Sequence, residues 1–291
     1  MSLLISGDLR LRKEFQWNET VWNPSMISTA LWLDAADSGT IATSGGEVTQ
    51  INDKSGNARN FTSAPGSRPS TGAATLNSKN ILTFSADYFT SVASAATWKF
   101  LHDATKSSVF AVAALGTTAD PNTFYGLFGN NGSSSSSNVG ACCFYDDRVF
   151  VPRNNAVVHQ IGRGGSSSPV SLNIANDAIT PNTANILAIL GDPSNGTLAN
   201  RGVTIINGGA EQKNNTDSST FSDSNPTFNF QIGAAGNNVA PLTGSLAEFI
   251  IVSDLVSSTT RQKLEGYLAH KWGLTASLPI DHPYKTVEPT P

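Results

Sequence analysis

The feature that most constrains this sequence is its punctuation. Short runs of β-branched and aromatic residues recur along most of its length, each soon closed by Gly, Asn, Ser, Asp or Pro. The runs fall at residues 30–33, 48–51, 81–84, 108–115, 124–128, 141–151, 170–174, 185–190, 203–206, 227–232 and 246–252. In Thr227-Phe228-Asn229-Phe230-Gln231-Ile232 the apolar side chains fall on one face and the polar ones on the other, the pattern of a half-buried antiparallel strand. Val109 to Leu115 does not alternate, as expected of a strand buried on both faces, although a helix segment fits the same run. Many such strands without a fixed repeat period predict two antiparallel sheets stacked face to face, and 291 residues suit one such body with an appendage.

One helix is expected near the C-terminus. Thr259-Thr260-Arg261-Gln262 has capping-box spacing, Leu264, Tyr267, Leu268 and Trp272 recur at helical intervals, and Gly273 supplies the stop. Arg261 and Glu265, four apart on the opposite face, would add a few tenths of a kcal/mol if both stay exposed. Ser- and Asn-rich stretches at 132–137, 164–168 and 214–223 read as solvated loops. Near the N-terminus Leu9, Leu11, Phe15 and Trp17 share one face of an extended arm. That arm either completes the sandwich or adds to the sheet edge of another protein. The domain reading is an anchoring arm at 1–22, the sandwich at 23–286 and a tail at 287–291.

Charged residues make up 14% of the chain and the formal net charge is −4, the wrong sign for a protein that gains affinity by neutralising phosphates, so no nucleic-acid partner is expected. No apolar run approaches the roughly 18 residues of a membrane-spanning helix, and membrane insertion is not expected. The run Leu3-Leu4-Ile5 is too short for the core of a secretion signal. Cys142 and Cys143 are neighbours whose side chains would leave a strand on opposite faces, so no disulfide is expected between them.

Several ordered motifs carry a resemblance. Ala30-Leu31-Trp32-Leu33-Asp34-Ala35-Ala36-Asp37, then Ile51-Asn52-Asp53-Lys54-Ser55-Gly56-Asn57, then Arg68-Pro69 and Asn80-Ile81-Leu82-Thr83-Phe84 are followed by Leu264-Glu265-Gly266-Tyr267-Leu268-Ala269-His270-Lys271-Trp272-Gly273-Leu274 and His282-Pro283-Tyr284. Over roughly residues 22 to 286 the chain resembles the concanavalin A-like, laminin-G-like jelly-roll modules found in phage virion proteins and bacterial surface proteins. The resemblance implies an all-β, two-sheet antiparallel jelly-roll sandwich with one short C-terminal helix. It also implies a non-enzymatic virion structural protein, a capsid decoration or a tail or fibre module assembled in the host cytoplasm. Its partners would be other virion proteins, reached through the arm, and a host-surface glycan. A carbohydrate-binding bacterial surface adhesin is the alternative, and the oligomeric state stays open.

Glucanases of this fold carry paired acids at strand spacing, and no such run is present: Glu211, Glu248 and Glu265 each stand apart from a second suitably spaced carboxylate. A glycoside hydrolase is therefore disfavoured. His102, His159, His270 and His282 never form a metal-binding pair, and His270 and His282 read as packing or hydrogen-bonding residues. No cofactor is expected. Calcium is the one ion the loops could court, at Asp146, Asp147 and the Asn130-Asn131 loop or at Asp217 and Asp223. Sugar binding needs an exposed aromatic ring with hydrogen-bonding neighbours, and the candidates are Tyr88, Trp98, Tyr145, Arg153, Asn154 and Asn155.

Overall fold

The structure, a computed structural model, describes residues 21–116, 123–131, 139–146, 148, 155–164, 169–176 and 178–291. Its first strands are β1 (Leu31–Asp34), β2 (Ile41–Ser44), β3 (Glu47–Ile51), β4 (Phe61–Thr62), β5 (Thr75–Leu76), β6 (Lys79–Asn80), β7 (Leu82–Asp87) and β8 (Phe89–Ser91). They are followed by β9 (Ser107–Leu115), β10 (Phe124–Gly129), β11 (Ala141–Asp146), β12 (Ala156–Ile161) and β13 (Val170–Ala175). The last are β14 (Asn185–Gly191), β15 (Gly202–Ile206), β16 (Gln231–Ile232) and β17 (Leu242–Val252), and the helix α1 spans Ser258–Trp272.

Among the described residues these strands form two antiparallel sheets and a small β5–β6 hairpin. One sheet runs β1-β17-β9-β14-β15, with β7 also on β17; the other runs β13-β12-β11-β10-β16-β8-β4-β3-β2. The expected two-sheet sandwich is what the chain forms. Leu31, Leu33, Val109, Ala111, Leu187 and Phe249 from the first sheet meet Val48, Phe61, Phe89, Phe128, Tyr145 and Val157 from the second. The first sheet's other face is covered by α1: Trp32, Phe110, Val112, Ile186 and Ile250 pack with Leu264, Leu268 and Trp272. This double burial explains the unbroken apolar run of β9, whose odd-numbered residues enter the sandwich while Phe110 and Val112 meet the helix. Cys143 faces the sandwich core and Cys142 the opposite face; both thiols are free, and burial pushes that of Cys142 up to about 12.

The helix begins earlier than its sequence suggests. Ser257, not Thr259, is the N-cap: its Oγ accepts from the Thr260 N–H at 3.1 Å, and a hydroxyl pair between the two side chains closes the turn in place of a capping-box acid. Gly273 ends the helix at φ 71°, as expected. Gly266 is required by packing, because a Cβ there would lie 2.5 Å from that of Tyr284. Arg261 and Glu265 do pair, at 2.8 Å, but Glu265 is fully buried and also meets His282 at 3.3 Å. The pair is thus a fixture of the helix's underside rather than a surface decoration. His270 bonds the Tyr284 carbonyl at 2.9 Å.

Other expectations are shifted. The run at 227–232 pairs only at β16, and the run at 141–151 is strand to Asp146, with 149–151 outside the described residues. β2, β4, β8 and β12 have no counterpart among the expected strands. β2 is an exposed edge and β4 and β8 are too short for a pattern, while in β12 His159 and Gln160 interrupt the apolar rhythm. Trp22, assigned by sequence to the arm, belongs to the body: it is 4% exposed, sits edge-on to Tyr267 at 6.4 Å, and donates its N–H to the Pro289 carbonyl at 2.9 Å. The arm residues Leu9, Leu11, Phe15 and Trp17 lie outside the described residues.

Candidate functional site

The aromatic residues expected to hold sugar do not form a platform. Trp98 is fully buried, its ring stacked on Phe230 at 4.6 Å and 24° and its Nε1 donating to Ser91 Oγ at 3.1 Å. Tyr145 is also fully buried, its hydroxyl donating to Asn155 Oδ1 at 2.6 Å. Neither ring offers a wet face, which corrects that expectation: both rings were selected for residue type, and the core took them for their size. Tyr88 is half-buried beside β8, away from the Tyr145–Asn155 contact, and Arg153 and Asn154 lie outside the described residues. The calcium candidates fare similarly. Asp146 is buried with both oxygens held by Arg148, at 2.7 and 2.8 Å, and Asp147 lies outside the described residues. Asp223 pairs with Lys99 at 2.8 Å and Asp217 accepts from the Ser219 N–H. Among the described residues no three His, Cys, Asp or Glu side chains converge as a metal site would require.

What the ordered motifs do build is a buried charge cluster between β1, β17 and α1. Asp34 on β1 stands directly opposite Glu248 on β17, and the last turn of α1 lays Lys271 across both. Lys271 Nζ lies 2.9 Å from Asp34 Oδ1 and 2.8 Å from Glu248 Oε2, while Lys54 Nζ lies 2.9 Å from Asp34 Oδ2 and 2.7 Å from Asp37. Glu248 accepts further bonds from Trp32 Nε1 at 2.7 Å, Trp272 Nε1 at 2.7 Å and Tyr267 Oη at 2.9 Å. Burial raises the Glu248 carboxyl above its ordinary range, against the pull of Lys271, and burial together with the Glu248 charge raises the Tyr267 phenol. The turn after β3 locks in beside it: Asp53 accepts from the N–H groups of Trp32, Ser55 and Arg59, and Arg59 reaches the Ala30 carbonyl. Glu248 stands apart from other carboxylates in the sequence because Asp34, the acid that register sets opposite it, is more than two hundred residues away.

A solvent-facing cleft of about 360 Å³ lies on the outer surface of the second sheet. Thr90, Thr227, Phe228, Asn229, Gln231, Asn237 and Asn238 line it. Strand geometry places it there: Ile232 enters the sandwich core, so Gln231 turns to the other face, opposite Thr90 on β8, where it forms the cleft's floor and is 4% exposed. The Gln231 amide is held at both ends, donating to Asn238 Oδ1 at 2.6 Å and to Thr90 Oγ1 at 3.2 Å and accepting from the Asn238 N–H at 2.8 Å. Asn237 and Asn238 adopt left-handed backbone at φ 50° and 59°, which turns the loop back over the strand. Half-buried Phe228 supplies an apolar wall, and none of the lining side chains is charged. Thr227, Asn229 and Gln231, the polar face of the alternating run, are the sequence signal for this cleft, but Phe228, expected on the core face with Phe230 and Ile232, lines it as well because the strand begins only at Gln231; the Asn237-Asn238 turn left no signal in the pattern.

Burial also lowers the pKa of two histidines, His102 and His159, and the second has the clearer setting. It stands between Cys143 and Asn173 in register, its Nδ1 has no hydrogen-bond partner, and burial pulls its pKa from 6.5 down to about 4. The folded state therefore binds this proton more weakly than the unfolded chain does. Stability is complete above pH 6.5 and falls as pH drops toward about 4, by up to about 3 kcal/mol. Urea midpoints between pH 7 and pH 4 will show this decline, and His159→Gln will flatten the part of the curve that His159 owns.

No family model matches the chain, and no curated protein sequence does. Solved structures do show loose likeness. The sialidase module CBM40 of Ruminococcus gnavus bound to α2,3-sialyllactose is 14% identical with a TM-score of 0.41, over 54% of this chain and 80% of that one. The NanB sialidase of Streptococcus pneumoniae, as its K499G mutant, is 14% identical with a TM-score of 0.45, over 62% of this chain and 26% of that one. The binding domain of botulinum neurotoxin DC in complex with SialylT is 10% identical with a TM-score of 0.47, over 83% of this chain and 52% of that one. This chain thus spans about half of the neurotoxin domain and a quarter of NanB, and likeness this loose assigns it no ligand.

Proposed function

We propose that this chain is a non-catalytic recognition module that holds a neutral saccharide in the Gln231 cleft and is displayed in many copies on a phage particle. The cleft carries the reading. Gln231, 4% exposed, is its fixed floor and holds Asn238 in place, while exposed Thr227, Asn229, Asn237 and Asn238 present hydroxyl and amide groups beside one apolar ring, which is the chemistry that hydroxyl-rich rings need. A sialylated ligand such as that of the Ruminococcus gnavus module would bring a carboxylate with no cation among the lining residues to meet it. The motif resemblance supports the particle setting, where weak contacts repeated over many copies gain avidity. Anchoring is assigned to the arm residues Leu9, Leu11, Phe15 and Trp17.

Binding of the purified chain to a panel of neutral and sialylated oligosaccharides tests the ligand. Gln231→Ala or Phe228→Ala should weaken binding by about tenfold or more, the equivalent of at least ~1.4 kcal/mol. Binding untouched by both changes would place the site elsewhere, and a blank panel would remove the recognition role. For the particle setting, deletion of residues 1–20, which spares Trp22, should abolish incorporation while leaving the sandwich folded. Incorporation of the shortened chain would refute the anchoring role.

A further inference from the structure

We infer that the Lys271–Asp34 pair is a site of covalent self-modification, in which the lysine amine and the aspartate carboxyl condense to an amide with Glu248 as the proton carrier. The constellation has each part that such a step requires. The nucleophile Lys271 Nζ is 2.9 Å from Asp34 Oδ1 and, on its other side, 2.8 Å from Glu248 Oε2. Antiparallel register fixes the two acids opposite each other on the rigid β1–β17 ladder, and the helix delivers the amine from above, so the reacting groups are held together at high effective concentration.

The surroundings disfavour separated charges. The side chains of Lys271, Asp34 and Glu248 are 14%, 7% and 0% exposed, and the rings of Trp272 and Tyr267 lie 5.1 and 5.4 Å from Nζ. In water an ammonium and a carboxylate stay ionised, because each is well solvated. The reaction begins with transfer of one proton from Lys271 to Asp34 across their 2.9 Å contact, which gives an amine lone pair facing a carboxylic acid. The upward displacement of the Glu248 carboxyl by burial suits it to take up and return a proton.

The step balances without a co-reactant. The Nζ lone pair attacks Asp34 Cγ and the new C–N bond forms. Glu248 removes a proton from the nitrogen and passes it to the departing hydroxyl, the C–O bond breaks, and one water leaves. Lys54, 2.9 Å from Oδ2, is placed to steady the negative oxygen of the tetrahedral intermediate. The product joins the first strand of the body to its last helix in a chain whose two cysteines are both free.

Intact mass spectrometry of the purified full chain decides the matter. The expected mass is that of the sequence less one water, and proteolysis should yield a branched peptide joining Asp34 to Lys271. A chain of full sequence mass, or a lost water that maps to any other residue pair, overturns the proposal. Glu248→Gln and Lys271→Arg should each restore the full mass. If either variant fails to fold, the wild-type mass and its branched peptide still give the answer. Saccharide binding does not enter this test.

Discussion

Replacing Glu248 with alanine will destabilise the domain by at least about 3–5 kcal/mol: the uncondensed cluster alone loses what breaking a buried ion pair by removing one partner costs, and absence of the Lys271–Asp34 amide adds to it. The size follows from what is left behind. Lys271 keeps Asp34 but loses the carboxylate 2.8 Å away, and the indole N–H groups of Trp32 and Trp272 and the Tyr267 hydroxyl lose their acceptor in a site closed to water. Each orphaned donor adds a desolvation cost. Urea denaturation followed by tryptophan fluorescence measures the loss directly. A change below about 1 kcal/mol would mean that water reaches the cluster and that the bonds are not holding α1 to the sheet.

Trp98→Ala will cost a similar about 3–5 kcal/mol, for a different reason. The side chain fills the space between Phe61, Phe100 and Phe230, with Arg59 over its ring at 5.4 Å, so truncation opens a cavity that three aromatic neighbours cannot close together. Under conditions where the variant stays folded, saccharide binding should match the wild type. Selective loss of binding with unchanged stability would instead restore Trp98 as a contact residue. The comparison with Phe228→Ala, at the cleft, separates a core aromatic from a ligand-facing one.

The two residues also show how far the sequence can be read. Strand positions such as those around Val48, Val109 and Leu187 were legible because burial on one or both faces leaves a rhythm in the residue types. The helix was legible from its spacing and its terminal glycine. What the sequence conceals is convergence: Trp32, Lys54, Glu248 and Lys271 come from four separate segments, and only the antiparallel register makes Asp34 and Glu248 neighbours. Likewise, residue type could not separate Trp98 from Phe228, because an aromatic ring serves a core and a sugar equally well. The cleft was half visible. The position of Gln231 opposite Ile232 follows from alternation, but the pattern stops at Gln231, so Phe228 joins the cleft, and the turn that brings Asn238 back over Gln231 depends on left-handed backbone, which no hydrophobic pattern records.

The clasp between Trp22 and Pro289 gives the body a polarity. Both described ends of the chain emerge beside α1, on the outer surface of one sheet, whereas the cleft floored by Gln231 opens from the opposite layer. A molecule leashed through its ends would therefore turn its back to whatever carries it and hold the amide-lined hollow toward the surrounding medium. No rearrangement would be needed to present it.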